Sequence, residues 1–223
     1  MNDSNQKGTA VAPRVLSPNR ASRPFWSALL KRALDLSLAA GALILLSPLF
    51  LVICFLVKLQ DGGRIFHRRR VVGRDGPFDA FKFRSMHPNA DEILVANSDL
   101  LESFEKNYKL TADPRVTTLG SILRKYSLDE LPQLFNVILG QMSLVGPRMI
   151  TSQELDRYGV YASLLLSVKP GITGYWQVHG RQTVAYSRRV EMDVYYIQHW
   201  SIQLDLKILL QTPWKVLKTE GAF

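Results

Sequence analysis

Residues 36–57 read LSLAAGALILLSPLFLVICFLV, 22 positions without a charged side chain. At ~1.5 Å of rise per residue, a helix of that length covers a ~30 Å hydrocarbon core. Lys31 and Arg32 precede the run, and Lys58, Arg64, Arg68, Arg69 and Arg70 follow it. A spanning helix normally carries its Lys and Arg on the cytoplasmic side only. Two basic flanks are better accounted for when both ends lie on the same side. Pro48 supplies the means of return, since it removes one helical hydrogen bond and crowds the preceding turn. Ser47 beside it can bond a freed carbonyl, as hydroxyls do in membrane helices. The reading that follows is a re-entrant helix–break–helix at Ser47-Pro48. The alternative is an ordinary span with a proline kink.

Outward from this anchor, the chain of 223 residues has room for one compact domain. Its net charge is +9, with much of the basic excess beside the apolar run. Such a distribution suits anionic headgroups and phosphorylated substrates. Nucleic acid is set aside as a partner, because no helix-turn-helix, zinc-finger spacing or RNA-binding aromatic signature is present. Cys54, the only cysteine, lies inside the run, so the chain has no internal disulfide and no CxxC site. His67, His87, His179 and His199 show no metal-ligand spacing.

Residues 1–24 are polar and expected to be disordered. Ile65 to Arg84 reads as two strands joined at Asp75-Gly76. In the second, Phe81 and Phe83 share one face and Lys82 and Arg84 the other. Residues 98–110 predict an amphipathic helix capped by Ser98. Leu119 to Leu139 is helical in pattern but interrupted at Ser127–Pro132. The apolar stretch Met192–Leu217, with Trp200 and Trp214, is helical in period and suits either a core face or a membrane surface.

The most polar point of an otherwise apolar stretch is Asp129-Glu130, within Ser127-Leu128-Asp129-Glu130-Leu131-Pro132. With Pro132 at a first helical position, both carboxylates meet the positive end of a helix, with Arg124 and Lys125 one turn earlier. Such surroundings are expected to keep both ionised. An ionised carboxylate can attack phosphorus, and its neighbour can hold Mg²⁺. The competing reading is a capping box, Ser127 with Glu130 three residues on. Gly146-Pro147-Arg148 closes a glycine-containing loop that presents a guanidinium suited to phosphate, or one that is merely solvated. The same two readings apply to Arg115 and Arg181.

These segments resemble the bacterial sugar transferases, the monotopic phosphoglycosyl transferases that act on polyprenyl phosphate. The likeness runs from about Lys31 to Phe223. It is carried by Phe81-Lys82-Phe83-Arg84-Ser85-Met86, Asp113-Pro114-Arg115, Ser127 through Gln133, Ser143 through Arg148, Lys169 through Gly174, and Trp176-Gln177-Val178. The chain looks most like the short members that initiate exopolysaccharide or capsule synthesis. The resemblance implies transfer of sugar-1-phosphate from a UDP-sugar to undecaprenyl phosphate with release of UMP. Asp129 would carry the phosphosugar covalently and Glu130, with Asp129, would hold Mg²⁺. Lys82, Arg124, Arg148 and Arg181 match basic site positions and Asp193 an acidic one. Met149 departs from the proline usual after Gly-Pro-Arg, and His179 from a small residue. Galactose or glucose is the expected sugar.

The resulting expectation is an α+β, mostly helical monotopic protein. It comprises a polar tail (1–24), a re-entrant helix (25–60) and a cytoplasmic transferase domain (61–223) on the inner membrane. Membrane lipids are expected partners, and self-association is left open. A Mg²⁺-dependent pyrophosphate hydrolase and a non-catalytic membrane adaptor are the alternatives.

Overall fold

The computed structural model describes residues 25–107, 110, 113–180 and 184–217; the polar tail and Arg181 lie outside them. The chain opens with α1 (Phe25–Asp61), the one helix among the described residues long and apolar enough to cross a membrane. It runs helically through Pro48. Ser47 Oγ donates to the Ile44 carbonyl at 2.8 Å, the acceptor that Pro48 four residues later cannot use.

Both halves of α1 dock on the remainder of the chain. In the first half Lys31 donates to Asp205 Oδ2 (2.7 Å) and to the Val145 carbonyl (3.1 Å). Arg32 donates to the carbonyls of Val137 and Ile138, and Asp35 accepts from Ser143 Oγ and the Leu144 amide. In the second half Phe50 packs on Phe83, Phe66 and Phe135, and Ile53 and Val57 join a small core with Phe83 and Leu123. Asp61 at the end of α1 pairs with Arg84. Between these contacts Ile44 and Leu45 are 77% and 79% exposed, which no folded interior claims.

Strands β1 (Phe66–Val71) and β2 (Phe78–Phe83) form an antiparallel hairpin, with His67 opposite Lys82 and Arg69 opposite Ala80. The expected alternation holds for the strand. Phe83 faces α1, whereas Lys82 shares its face with His67 and Arg69. After α2 (Ala90–Val95), α3 (Ser98–Asn107) begins one residue earlier than a Ser98 cap requires. Asn97 Oδ1 accepts the Leu100 amide, so Asn97 is the cap. Helices α4 (Thr118–Lys125) and α5 (Gln133–Ile138) flank the short 3-10 turn Leu128–Glu130, matching the interruption expected at Ser127–Pro132.

Strand β3 (Ser143–Val145) pairs in parallel with β4 (Gly171–Thr173). Between them lie α6 (Ser152–Leu155), the 3-10 segment Asp156–Tyr161 and α7 (Ala162–Leu165). Helices α8 (Tyr175–His179), α9 (Tyr186–Gln198) and α10 (Ile202–Leu217) complete the fold. The C-terminal stretch is thus two helices, parted at His199–Ser201. Val190, Tyr196, Ile197 and Ile208 supply its core face. Leu206, Leu210, Trp214 and Leu217 remain exposed on α10. The protein is mostly helical with a minor β component, as the patterning indicates.

Candidate active site

The turn that carries Asp129 and Glu130 starts from strain. Ser127 has φ 53° and ψ 22°, the one positive φ among the described non-glycine residues. A left-handed serine costs about 1–2 kcal/mol and calls for support from its surroundings. Leu128 and Leu131 provide it by packing against the Ile53–Val57–Phe83–Leu123 core. The Ser127 side chain caps nothing, so the capping-box reading falls. Nor do the acids sit at the start of an α-helix: they belong to the 3-10 turn Leu128–Glu130 that precedes α5. Pro132 is the N-cap of α5, and α5 has only six residues.

Lys82 faces the dyad. Its Nζ lies 2.7 Å from Glu130 Oε1 and 3.6 Å from Asp129 Oδ2. Asn136, fully buried on α5, holds that strand in place. Its Oδ1 accepts the Phe81 amide at 2.9 Å, and its Nδ2 donates to the Asp79 carbonyl at 2.8 Å. Gly120 lets α4 approach the end of β2, because a Cβ there would stand 1.9 Å from the Ser85 carbonyl oxygen. The approach brings Arg124 Nε to Ser85 Oγ at 2.9 Å, with its charge acting on Asp129.

The two acids titrate differently. Burial pushes Asp129 above the usual carboxylate range, against the pull of Lys82, and the Glu130 charge adds to the rise. Burial acts on Glu130 as well, but Lys82 and Arg148 outweigh it and hold that carboxyl below its ordinary value. The downward pull expected from a helix terminus is therefore corrected for Asp129, whose carboxyl shifts upward. Burial, not a helix dipole, governs it.

A second group of cations adjoins the first. The turn after β3 passes so close to β4 that a Cβ on Gly171 would stand 2.1 Å from the Gly146 amide nitrogen. This packing presents Arg148, whose guanidinium stands 5.5 Å from the Trp176 ring centre. Asp193 is buried to 1% exposure and accepts from Tyr158 Oη at 2.8 Å. Burial raises its pKa to about 7, opposed by the Tyr158 bond and by Arg148. Arg69 pairs with Glu154 at 2.9 Å and lends its charge to Glu130.

The structure thus unites Lys82, Arg124, Asp129, Glu130 and Arg148, with Asp193 behind Arg148. Arg84 is not brought into this group: it lies past the strand end and pairs with Asp61. Arg115 is also structural, closing on Asp113 with two contacts of 2.8 Å beneath Phe104. Sequence reasoning passed over Arg69, which period-2 spacing in β1 places on Lys82's face. It named Trp176 only within the motif Trp176-Gln177-Val178 and gave it no role at the site.

Among the described residues no group of three or more His, Cys, Asp or Glu is arranged to hold a metal. Two adjacent carboxylates fit a more limited role. Mg²⁺ is commonly held by one or two carboxylates and completed by substrate phosphates and water.

The sequence matches the family model for bacterial sugar transferases over residues 26–219. It is 46% identical over 198 residues to the exopolysaccharide production protein ExoY of Sinorhizobium fredii, covering 86% of this chain and 88% of that protein. It is 45% identical to an undecaprenyl-phosphate galactose phosphotransferase of Salmonella typhimurium, covering 88% of this chain and 42% of that longer protein. The UDP-glucose:undecaprenyl-phosphate glucose-1-phosphate transferase of Escherichia coli is 39% identical over 87% of this chain and 42% of its own length. With the carboxylate dyad and its cations assembled beside an apolar helix, and the match running through nearly every described residue, the chain belongs to the bacterial sugar transferase family.

Proposed function

We propose that this protein transfers sugar-1-phosphate from a UDP-sugar to undecaprenyl phosphate, in two displacements at Asp129, as the first membrane step of exopolysaccharide assembly. The observation that carries the reading is the buried Asp129, 6% exposed, with Lys82, Arg124 and Arg148 around the dyad and an apolar helix alongside. Phosphoryl transfer of this kind depends on positioned cations and a positioned nucleophile. The relatives' names supply the substrate class.

In the first displacement an Asp129 carboxylate oxygen attacks the sugar-bearing phosphorus, and the bond to the nucleoside phosphate breaks to release UMP. Lys82 offsets the charge that accumulates between carboxylate and phosphate. Arg148 binds the diphosphate, and Arg124, anchored on Ser85, holds Asp129 oriented. In the second displacement the lipid phosphate attacks the same phosphorus, and the Asp129 carboxylate leaves. Glu130, together with Asp129, would hold Mg²⁺, which screens phosphate charge from an anionic nucleophile when bound. The test is a panel of UDP-sugars with undecaprenyl phosphate and Mg²⁺, scored for UMP and lipid product. UDP-galactose or UDP-glucose is expected to give both. UMP release that needs water and yields no lipid product would instead identify a hydrolase.

The anchor reading is part of the same proposal. Both flanks of α1 bind one folded body, through Lys31, Arg32 and Asp35 at one end and Asp61 at the other. A spanning helix would separate those flanks by the bilayer's ~30 Å core. A re-entrant α1 on the cytoplasmic face, dipping its exposed Ile44–Leu45 region into one leaflet, satisfies both facts. Cysteines introduced as Ala28→Cys and Gln60→Cys, in a Cys54→Ser background, should label from the same side of the inner membrane. Labelling from opposite sides would establish a span.

A further inference from the structure

The carbonyl oxygen of Val145 is met by three side chains. Ser143 Oγ stands 2.9 Å from it, Lys31 Nζ 3.1 Å and Tyr196 Oη 3.1 Å. They come from β3 itself, from α1 and from α9. A carbonyl has two lone pairs, so three donors hold this oxygen from more sides than its own pairing requires. Lys31 and Tyr196 meet again on Asp205, at 2.7 Å each, and Trp200 Nε1 donates to the same carboxylate at 2.9 Å. Lys31 has a separate proton for Asp205 and for Val145, whereas Tyr196 and Ser143 each divide one proton between two acceptors. Val145, Tyr196 and Asp205 are all 5% exposed or less. One turn along α1, Asp35 accepts from Ser143 Oγ at 3.1 Å and from the Leu144 amide at 3.0 Å. Every residue of β3 is thereby bonded to Lys31 or Asp35 of the membrane helix.

A buried ion pair such as Lys31–Asp205 adds little net stability, because desolvation offsets its attraction. Its geometric consequence is larger. Val145 is the last residue of β3, and the chain reaches Arg148 three positions later. Between them the Gly146 amide donates to the Thr173 carbonyl at 3.0 Å, and the Pro147 carbonyl accepts from the Gly171 amide at 2.8 Å. Strand β4 thus holds the side of the turn, and Lys31 holds its root. Arg148 in turn acts on Glu130. The other half of α1 supports the dyad, because Ile53 and Val57 share a core with Leu128 and Leu131. One helix therefore seats both turns of the site, on either side of Ser47-Pro48. Resting on the transfer reading above, we infer that Lys31 is a positioning residue for Arg148. The foot of the membrane helix sets where the phosphate-binding guanidinium stands, and nucleotide binding depends on how α1 is seated.

UDP titrated against the full chain in nanodiscs reads this dependence without turnover. Lys31→Met is made alone and together with Arg148→Gln, whose own loss should be about tenfold or more. Lys31→Met should weaken UDP about fivefold or more where Arg148 is present and less than about twofold where it is absent, since misplacing a guanidinium that has been deleted costs nothing. Lys31→Arg keeps the charge and several donors and should bind UDP within about threefold of wild type. Ser143→Ala combined with Tyr196→Phe removes the other two donors to Val145 and leaves the ion pair. It should show the same dependence on Arg148 at smaller amplitude, and it carries the test if Lys31→Met does not fold. Equal losses with and without Arg148, or unchanged UDP affinity in folded Lys31→Met, would overturn the inference. Failure of both variants to fold would do so as well, and would make these side chains a packing device for α1. The transfer reading fails separately. Wild-type protein that shows this coupling yet forms no lipid product would defeat that reading and leave the role of Lys31 standing.

Discussion

Replacing Asp129 with Asn should abolish sugar-phosphate transfer, by about 10³-fold or more, the scale on which loss of a covalent nucleophile registers. The amide is nearly the same shape but cannot form an acyl phosphate. Wild-type enzyme exposed to UDP-sugar without lipid, then quenched, should carry a sugar-phosphate adduct that mass spectrometry maps to Asp129, and Asp129→Asn should carry none. The same substitution should raise thermal stability at neutral pH. Asp129 is a carboxyl whose pKa burial lifts above its unfolded value. A group shifted that way contributes stability at pH values below its unfolded pKa, and the contribution is lost as pH rises through the folded one. At pH 7.5 the ionised form is therefore held at a cost, and a neutral amide removes it. The gain should shrink as pH falls toward 4. An adduct on another residue, or transfer by Asp129→Asn at the wild-type rate, would refute the mechanism.

That trade between stability and reactivity explains which features the sequence disclosed. The apolar run, the hairpin, the interruption at Ser127–Pro132 and the dyad are local patterns, each with a period or a punctuating residue. All four recur as α1, β1–β2, the 3-10 turn and its acids. Lys82 was legible because alternation in β2 sets its face. Arg84 was misread because alternation extended past Phe83 assumes that the strand continues, and the chain turns there toward Asp61. The convergence of Arg148 and Arg189 on the Trp176 ring was invisible, since 41 positions in sequence separate the two arginines. The raised pKa of Asp129 was equally hidden. It arises first from burial, which no local pattern announces, with the charge of the adjacent Glu130 adding to it.

Lys82→Met is the second substitution expected to have a large effect, and it acts through protonation. Lys82 Nζ lies within 3.6 Å of both acids, and its side chain is 16% exposed. An opposite charge at such range is worth about 4 kcal/mol at an effective dielectric near 20. Methionine preserves the length of the stem and deletes that charge. Two adjacent carboxylates in a buried turn then cannot both ionise cheaply, and the pair retains a proton. Glu130, now held below its ordinary pKa chiefly by Lys82 against burial, should rise. Turnover at pH 7 should fall on the order of 10²–10³-fold, and the acid limb of the pH–rate profile should move up by roughly 1–3 units. The stability consequence has the opposite sign from that of Asp129. A depressed carboxyl such as Glu130 stabilises the fold above its unfolded pKa, and this is lost as pH falls through the folded value. Lys82→Met forfeits that contribution, so the variant should melt well below wild type at pH 8 and approach it only once pH falls below Glu130's ordinary carboxylate range. Lys82→Arg keeps the charge and should leave the acid limb near its original position even where turnover drops. An unshifted pH profile in Lys82→Met would show that the ammonium does not govern the dyad, and would reduce Lys82 to a residue that packs the hairpin against α5.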